Sequence, residues 1–240
     1  MGERKMNNKL RAGFSYVLKD LLSSTLVFFA IYYTFSLAAF FLFGNFTDIK
    51  DLSIGGAEFA TLFFLFLLAT FSFSGDFQFL LREGLDRREI SKVLIFHGLF
   101  ASLMTLVIFF IMNFFLKTIL AYLNVKITTV ILGEGVLSLP HQVLMIFLLL
   151  LSAYFIGLTI GTINYRLDKN GKKIFWGGMG LMLIVAFLVG IVPNFAILAS
   201  EEYLKIVANP IYPLILLCII TFNIGLHVFL IQKTEVKFNA

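Results

Sequence analysis

The spacing of charge constrains this chain most. Six long stretches of its 240 residues are almost free of Asp, Glu, Lys and Arg. The hydrocarbon core of a bilayer is about 30 Å thick and a helix rises about 1.5 Å per residue, so about 20 apolar residues suffice to cross it. Trimming loop-like ends places helices near Leu22–Phe43, Phe59–Ser74, Val93–Leu116, Val143–Tyr165, Ile174–Val192 and Ile211–Ile231. These runs are continuously apolar and lack the alternation of an outer-membrane barrel strand. Inside hydrocarbon a backbone must satisfy its own hydrogen bonds, which leaves the helix. The expectation is an all-α membrane protein, one transmembrane domain over residues 1–240 with six spans. Charged residues make up 14% of the chain and mean hydropathy is +0.95, whereas a soluble domain carries about 25% charged residues. That balance excludes a cytosolic globular enzyme, a disordered chain and a nucleic-acid domain. A single cysteine, Cys218, excludes an internal disulfide and a Cys-based zinc site.

The cations set the topology. Arg4, Lys5, Lys9, Arg11 and Lys19 precede the first span, and Arg82, Arg87, Arg88 and Lys92 lie between the second and third. Arg166, Lys169, Lys172 and Lys173 lie between the fourth and fifth, and Lys233 and Lys237 follow the sixth. These are fifteen of the nineteen Lys and Arg; the other connections hold Lys50, Lys117, Lys126 and Lys205. The asymmetry predicts that both termini are cytoplasmic. The N-terminal basic residues and the apolar run after them resemble a signal peptide, but the run is too long and no convincing cleavage site follows, so it reads as a retained first helix. Ahead of it, Leu10, Phe14, Val17 and Leu21 recur at helical spacing among cations. Residues 1–20 therefore read as an interfacial amphipathic segment, an elbow along the inner leaflet or a plain positive anchor.

The connection after the second span carries the most information. Phe77, Leu80 and Leu81 form an apolar stripe beside Arg82 and Glu83, Gly84 interrupts it, and Asp86, Arg87, Arg88 and Glu89 start a new helix with a capping-box pattern. The expectation is a short transverse helix, a glycine turn, then the helix of the third span. Such an element docks into a groove on a soluble partner or lies on the lipid surface, and the residues leave both readings open.

With six spans, inside termini, a basic amphipathic start and the run from Phe79 to Phe96, the chain resembles the ABC-2 type permeases of ABC transporters, above all the small ones of low-GC Gram-positive bacteria. Those proteins carry Arg or Gln, a variable residue, Gly, a variable residue, Ser or Asp, then Arg at this place; here Arg82, Gly84, Asp86 and Arg87 match. Ser is commoner than Asp in the family before the final Arg, and either caps a helix. The resemblance implies that Phe77, Leu80, Leu81, Arg82, Gly84, Asp86, Arg87 and Arg88 form the coupling helix that contacts a separate, cytoplasmic ATPase dimer. It further implies a second permease copy or paralogue, a bacterial cell membrane, and export of a peptide or a lipophilic, drug-like substrate. ATP and magnesium would sit on the partner, and short outer helices would precede the last span, near 193–210. A substrate-binding subunit of an ECF-type importer, or a facilitator, is the rival reading; it would lack the transverse helix.

Other chemistry is sparse. There is no phosphate-binding loop of the form G-x-x-x-x-G-K-S/T, so no ATPase is expected here, and no H-E-x-x-H zinc motif. Glu201 and Glu202 lie in a loop without the helical His partners of a CAAX-type protease. His97 and His227 fall at similar depth, where a bis-histidine haem needs rings facing one another; a hydrogen bond to a neighbouring helix is the plainer reading. Asn45, Phe46 and Thr47 form a glycosylation sequon on the expected outer side. Gly157 and Gly161, with Gly177 and Gly180, allow close helix approach. No charged residue is expected in mid-span, which disfavours an ion-coupled carrier.

Overall fold

The computed structural model describes residues 2–43, 57–122, 139–186, 209 and 211–234. Among them are six helices and no strand: α1 (Gly2–Phe43), α2 (Ala57–Arg82), α3 (Arg87–Tyr122), α4 (Leu139–Arg166), α5 (Lys169–Ala186) and α6 (Ile211–Gln232). The sequon at Asn45, Glu201 and Glu202, and residues 193–208 and 210 of the expected outer segment lie outside the described residues. Five helices contain stretches long and apolar enough to cross a membrane: Gly13–Ala38, Phe59–Arg82, Arg87–Leu116, Pro140–Arg166 and Ile211–Gln232. The chain is therefore read as an all-helical, multi-pass membrane protein. The expected fifth span, 174–192, runs past Ala186 and lies partly outside the described residues. Within them α5 opens with Lys169, Lys172 and Lys173 and is not among the five.

Two boundaries differ from the sequence expectation. α1 is one 42-residue helix, so residues 2–20 are its first turns and not a separate elbow. Val17, Leu21, Thr25, Phe29 and Tyr33 are all buried, a stripe repeating every four residues that runs unbroken across the expected boundary. Bending the helix there would pull this face off its neighbours. α2 likewise continues past Ser74 to Arg82, and the segment expected as a transverse helix is its last two turns. Gly75 lies on an exposed face with no described atom near a Cβ position and does not interrupt it. The longer α2 carries Asp76 into its apolar length, where that residue is 6% exposed, with Ser72 as hydrogen-bond partner and Asp20 of α1 close enough to act on it. Asp76 lies near the end of this helix, which closes at Arg82, and not in mid-span.

α4 is the central helix. Of its apolar stretch 61% is buried, against 17% to 33% in the other four. It packs most extensively on α2, then on α6 and α3, and α1 lies against α3 and α2. The contact with α2 is close because Gly157 and Gly161 present no side chain: a Cβ at Gly157 would collide with the Phe66 carbonyl, and one at Gly161 would stand 2.7 Å from the Thr70 carbonyl oxygen. Small residues that let backbones approach are a general feature of helix pairs in lipid, where apolar burial alone does not drive association. Thr70 Oγ1 lies 2.7 Å from the Phe66 carbonyl of its own helix and 3.1 Å from the Gly157 carbonyl across the seam. Gly177 and Gly180 differ: no described atom lies within 4 Å of a Cβ at either, so among the described residues they support no close helix approach.

Candidate functional site

One end of the bundle gathers the early turns of α1, the ends of α2, α4 and α6, and the starts of α3 and α5. Tyr16 stacks on Phe79 with ring centroids 4.0 Å apart, Gly13 faces Leu80 and Leu85, and Tyr165 sets its ring edge-on to Phe73 and Phe77. Lys19, Arg82, Arg87, Arg88, Lys92, Arg166, Lys169, Lys172, Lys173 and Lys233 all belong to this end, while Lys117 falls near the opposite end of α3.

The α2–α3 turn lies here, and its shape follows from four residues. Gly84 has φ 77°, the left-handed conformation that glycine adopts without steric cost. Its N–H donates to the Leu81 carbonyl at 3.0 Å, and the Leu85 N–H donates to the Leu80 carbonyl at 3.2 Å. This pair of bonds is a Schellman motif, which satisfies carbonyls that the end of α2 would otherwise leave open. Asp86 then caps α3: the Glu89 N–H donates to Asp86 Oδ1 at 2.7 Å and the Asp86 N–H donates to Glu89 Oε2 at 2.9 Å. This reciprocal capping box leaves both orphan donors paired. The chain reverses direction within a few residues with its backbone groups satisfied.

The side chains of the turn divide into two sets. Phe77 and Leu80 are 0% exposed and Leu85 is 4% exposed, so the apolar stripe read from sequence faces the chain's own core; Leu81 is half-buried. Arg82, Glu83, Gly84, Asp86 and Arg88 are exposed. Arg87 is half-buried, and its Nη1 donates to the Gln232 carbonyl at the end of α6 at 2.8 Å. Asp86, Arg87, Arg88 and Gln232 line a recess of about 470 Å³. Nothing in the local sequence announces the Arg87–Gln232 contact, whose residues are 145 positions apart.

Deeper in the bundle is a layer of buried polar groups. His97 Nδ1 lies 2.6 Å from the Tyr154 hydroxyl, and His227 Nδ1 lies 2.9 Å from Thr162 Oγ1. The Thr162 hydroxyl already donates to the Leu158 carbonyl at 2.8 Å. It therefore accepts from His227, which fixes the Nδ1–H tautomer and leaves Nε2 with a bare lone pair and no partner among the described residues. Thr159 Oγ1 donates to the Asn223 carbonyl at 3.3 Å, a second polar contact along the α4–α6 seam. The two histidines are held by different turns of α4, roughly 12 Å apart along its axis at about 1.5 Å per residue. Their aromatic neighbours are Tyr154 for His97 and Phe73 for His227. That is not the face-to-face pairing a bis-histidine haem needs; each ring instead ties α3 or α6 to α4. Among the described residues no group of three or more His, Cys, Asp or Glu is placed to hold a metal. At the end of the bundle away from the basic turn, Phe59, Leu62, Phe63 and Phe66 of α2 and Leu149, Ala153 and Ile156 of α4 border an apolar groove of about 530 Å³. Cys218 is exposed on α6.

Compared with known proteins, the chain matches no family model, no curated protein and no solved structure.

Proposed function

We propose that this chain is the membrane-spanning permease subunit of a bacterial ABC transporter, set in the cell membrane with both termini on the cytoplasmic side. A separate ATPase dimer supplies the energy and binds ATP and magnesium. Two permease chains, identical or paralogous, enclose the pathway, and the cargo is a peptide or a lipophilic, drug-like molecule moved outward. The observation that carries this reading is the turn from Glu83 to Asp86: it is closed by its own hydrogen bonds, it sits at the basic end of the bundle, and it presents a charged outer face. The family resemblance falls on these same residues. Basic loops favour the cytoplasmic side of a membrane, where a soluble ATPase meets them. With Phe77 and Leu80 inside the core, the contact face is polar: Arg82, Glu83, Asp86 and Arg88 meet the partner, and an acidic side chain of the ATPase enters the recess beside Arg88.

The test is purification of the tagged chain from its native membrane, with bound proteins identified by mass spectrometry. The expected result is one companion with a phosphate-binding loop, ATP hydrolysis by the complex, and loss of that companion in Arg88→Glu. A chain that purifies without such a companion, and whose Arg88→Glu variant transports normally, refutes the reading.

A further inference from the structure

We propose that Arg87 is a tie through which movement of the α2–α3 turn reaches α6, a role that rests on the transporter reading above. The last carbonyls of a helix have no donor ahead of them in the chain, and a cation is favoured at that end. Arg87, in the first turn of α3, supplies both to α6 through the 2.8 Å bond to the Gln232 carbonyl. Its neighbour Arg88 is exposed, whereas Arg87 is half-buried, so the two arginines have different tasks: one faces outward and one is spent inside the chain. The Schellman motif and the capping box make the turn a single stiff piece. On one side that piece bears on α1, through Tyr16 against Phe79 and through Gly13 against Leu80 and Leu85. On the other side it holds α6, which is joined in turn to the central helix by His227–Thr162 and Thr159–Asn223. A push on the turn therefore reaches the first and the last helix together, and Arg87 is the polar link to the last.

Hydrogen exchange on the full chain in nanodiscs reads the tie directly. Arg87→Ala should speed exchange of the amides of residues 230–234 about tenfold, as expected for loss of one charge-assisted hydrogen bond. Lys92→Gln, an exposed change one turn further along α3, should leave them unchanged, and Arg87→Lys should restore most of the protection. In the purified complex Arg87→Ala should move fewer substrate molecules per ATP hydrolysed, with Arg87→Lys recovering the ratio. Unchanged exchange in Arg87→Ala, or an equal rise in Lys92→Gln, overturns the tie. Faster exchange with an unchanged transport-to-hydrolysis ratio overturns transmission and leaves a packing contact. If the wild-type chain recruits no ATPase, the transporter reading fails, and with it transmission; the exchange arm, which needs no partner, still decides the contact.

Discussion

Replacing Gly161 with Ala tests how closely α2 and α4 approach. The added Cβ would stand 2.7 Å from the Thr70 carbonyl oxygen, 3.0 Å from Phe73 Cβ and 3.2 Å from the Ala69 carbonyl oxygen. None of these is the free end of a flexible side chain, so relief requires the helices to part, by roughly 0.5–1 Å for ordinary contact distances. A parting of that size carries the 3.1 Å contact between Thr70 and Gly157 beyond hydrogen-bonding range. Overpacking of a close core costs about 1–3 kcal/mol, while the single proton of the Thr70 hydroxyl keeps its 2.7 Å bond to the Phe66 carbonyl. Against this, Ala in place of Gly inside a helix gains up to about 1 kcal/mol. The expected net loss is up to about 2 kcal/mol, and the gap from an unhindered Gly→Ala change is about 1–3 kcal/mol. Gly75 and Gly225 supply the controls, since no described atom lies within 4 Å of a Cβ at either; there Ala should leave stability unchanged or raise it. Equilibrium unfolding in mixed micelles, followed by circular dichroism and by the fluorescence of Trp176, the only tryptophan, measures the difference. Trp176 stacks on Phe71 of α2 at 5.7 Å, so its signal follows α2 directly. Gly161→Ala as stable as Gly75→Ala would refute the close approach.

Three further outcomes are expected. On a Cys218→Ser background, single cysteines at positions 88 and 172 should resist impermeant thiol reagents in intact cells and react after lysis, while one at 50 should react in both; labelling of 88 but not 50 in intact cells would invert the topology. Asp86→Ala and Glu89→Ala should each weaken the start of α3 by about 1 kcal/mol through loss of the cap, seen as faster amide exchange over residues 87–90, with Asp86→Ser nearly neutral. The purified chain, free of any second polypeptide, should hydrolyse no ATP above a detergent blank, because its sequence has no phosphate-binding loop; activity in that preparation would sink the partner-ATPase reading.

What the sequence disclosed was local chemistry. Gly84 as a helix stop, Asp86 with Glu89 as a helix start, and five of the six apolar runs all depend on neighbours within a few residues, and the structure places these there. The end of α2 was not legible because Asp76 and Arg82 read as loop markers, whereas Asp76 is accommodated inside the bundle beside Ser72. The inward direction of Phe77 and Leu80 depends on α1 and α4, and those helices are remote in sequence. Gly157 and Gly177 carry the same signal in the chain. A carbonyl of α2 stands against the first and no described atom lies within 4 Å of a Cβ at the second, so the partner helix, not the glycine, decides the role. Tyr154 and Thr162 as partners of the two histidines, and Gln232 as partner of Arg87, are long-range contacts with no periodic signature.

The central place of α4 sets a timetable for biogenesis. The faces of α2 and α6 that meet it include Leu65, Ala69, Phe73 and His227, all buried in the finished bundle. When α2 leaves the ribosome its partner has not been made, and the stretch between Arg82 and Arg166 must still be synthesised. At about 5–20 residues per second that wait is roughly 4–17 s. During it the Thr70 hydroxyl keeps the bond to its own Phe66 carbonyl, which spares the nascent helix an unpaired polar group in lipid. The bundle can close only in the second half of translation, so a chain released after α3 should be degraded as an orphan although three of its membrane helices are already inserted.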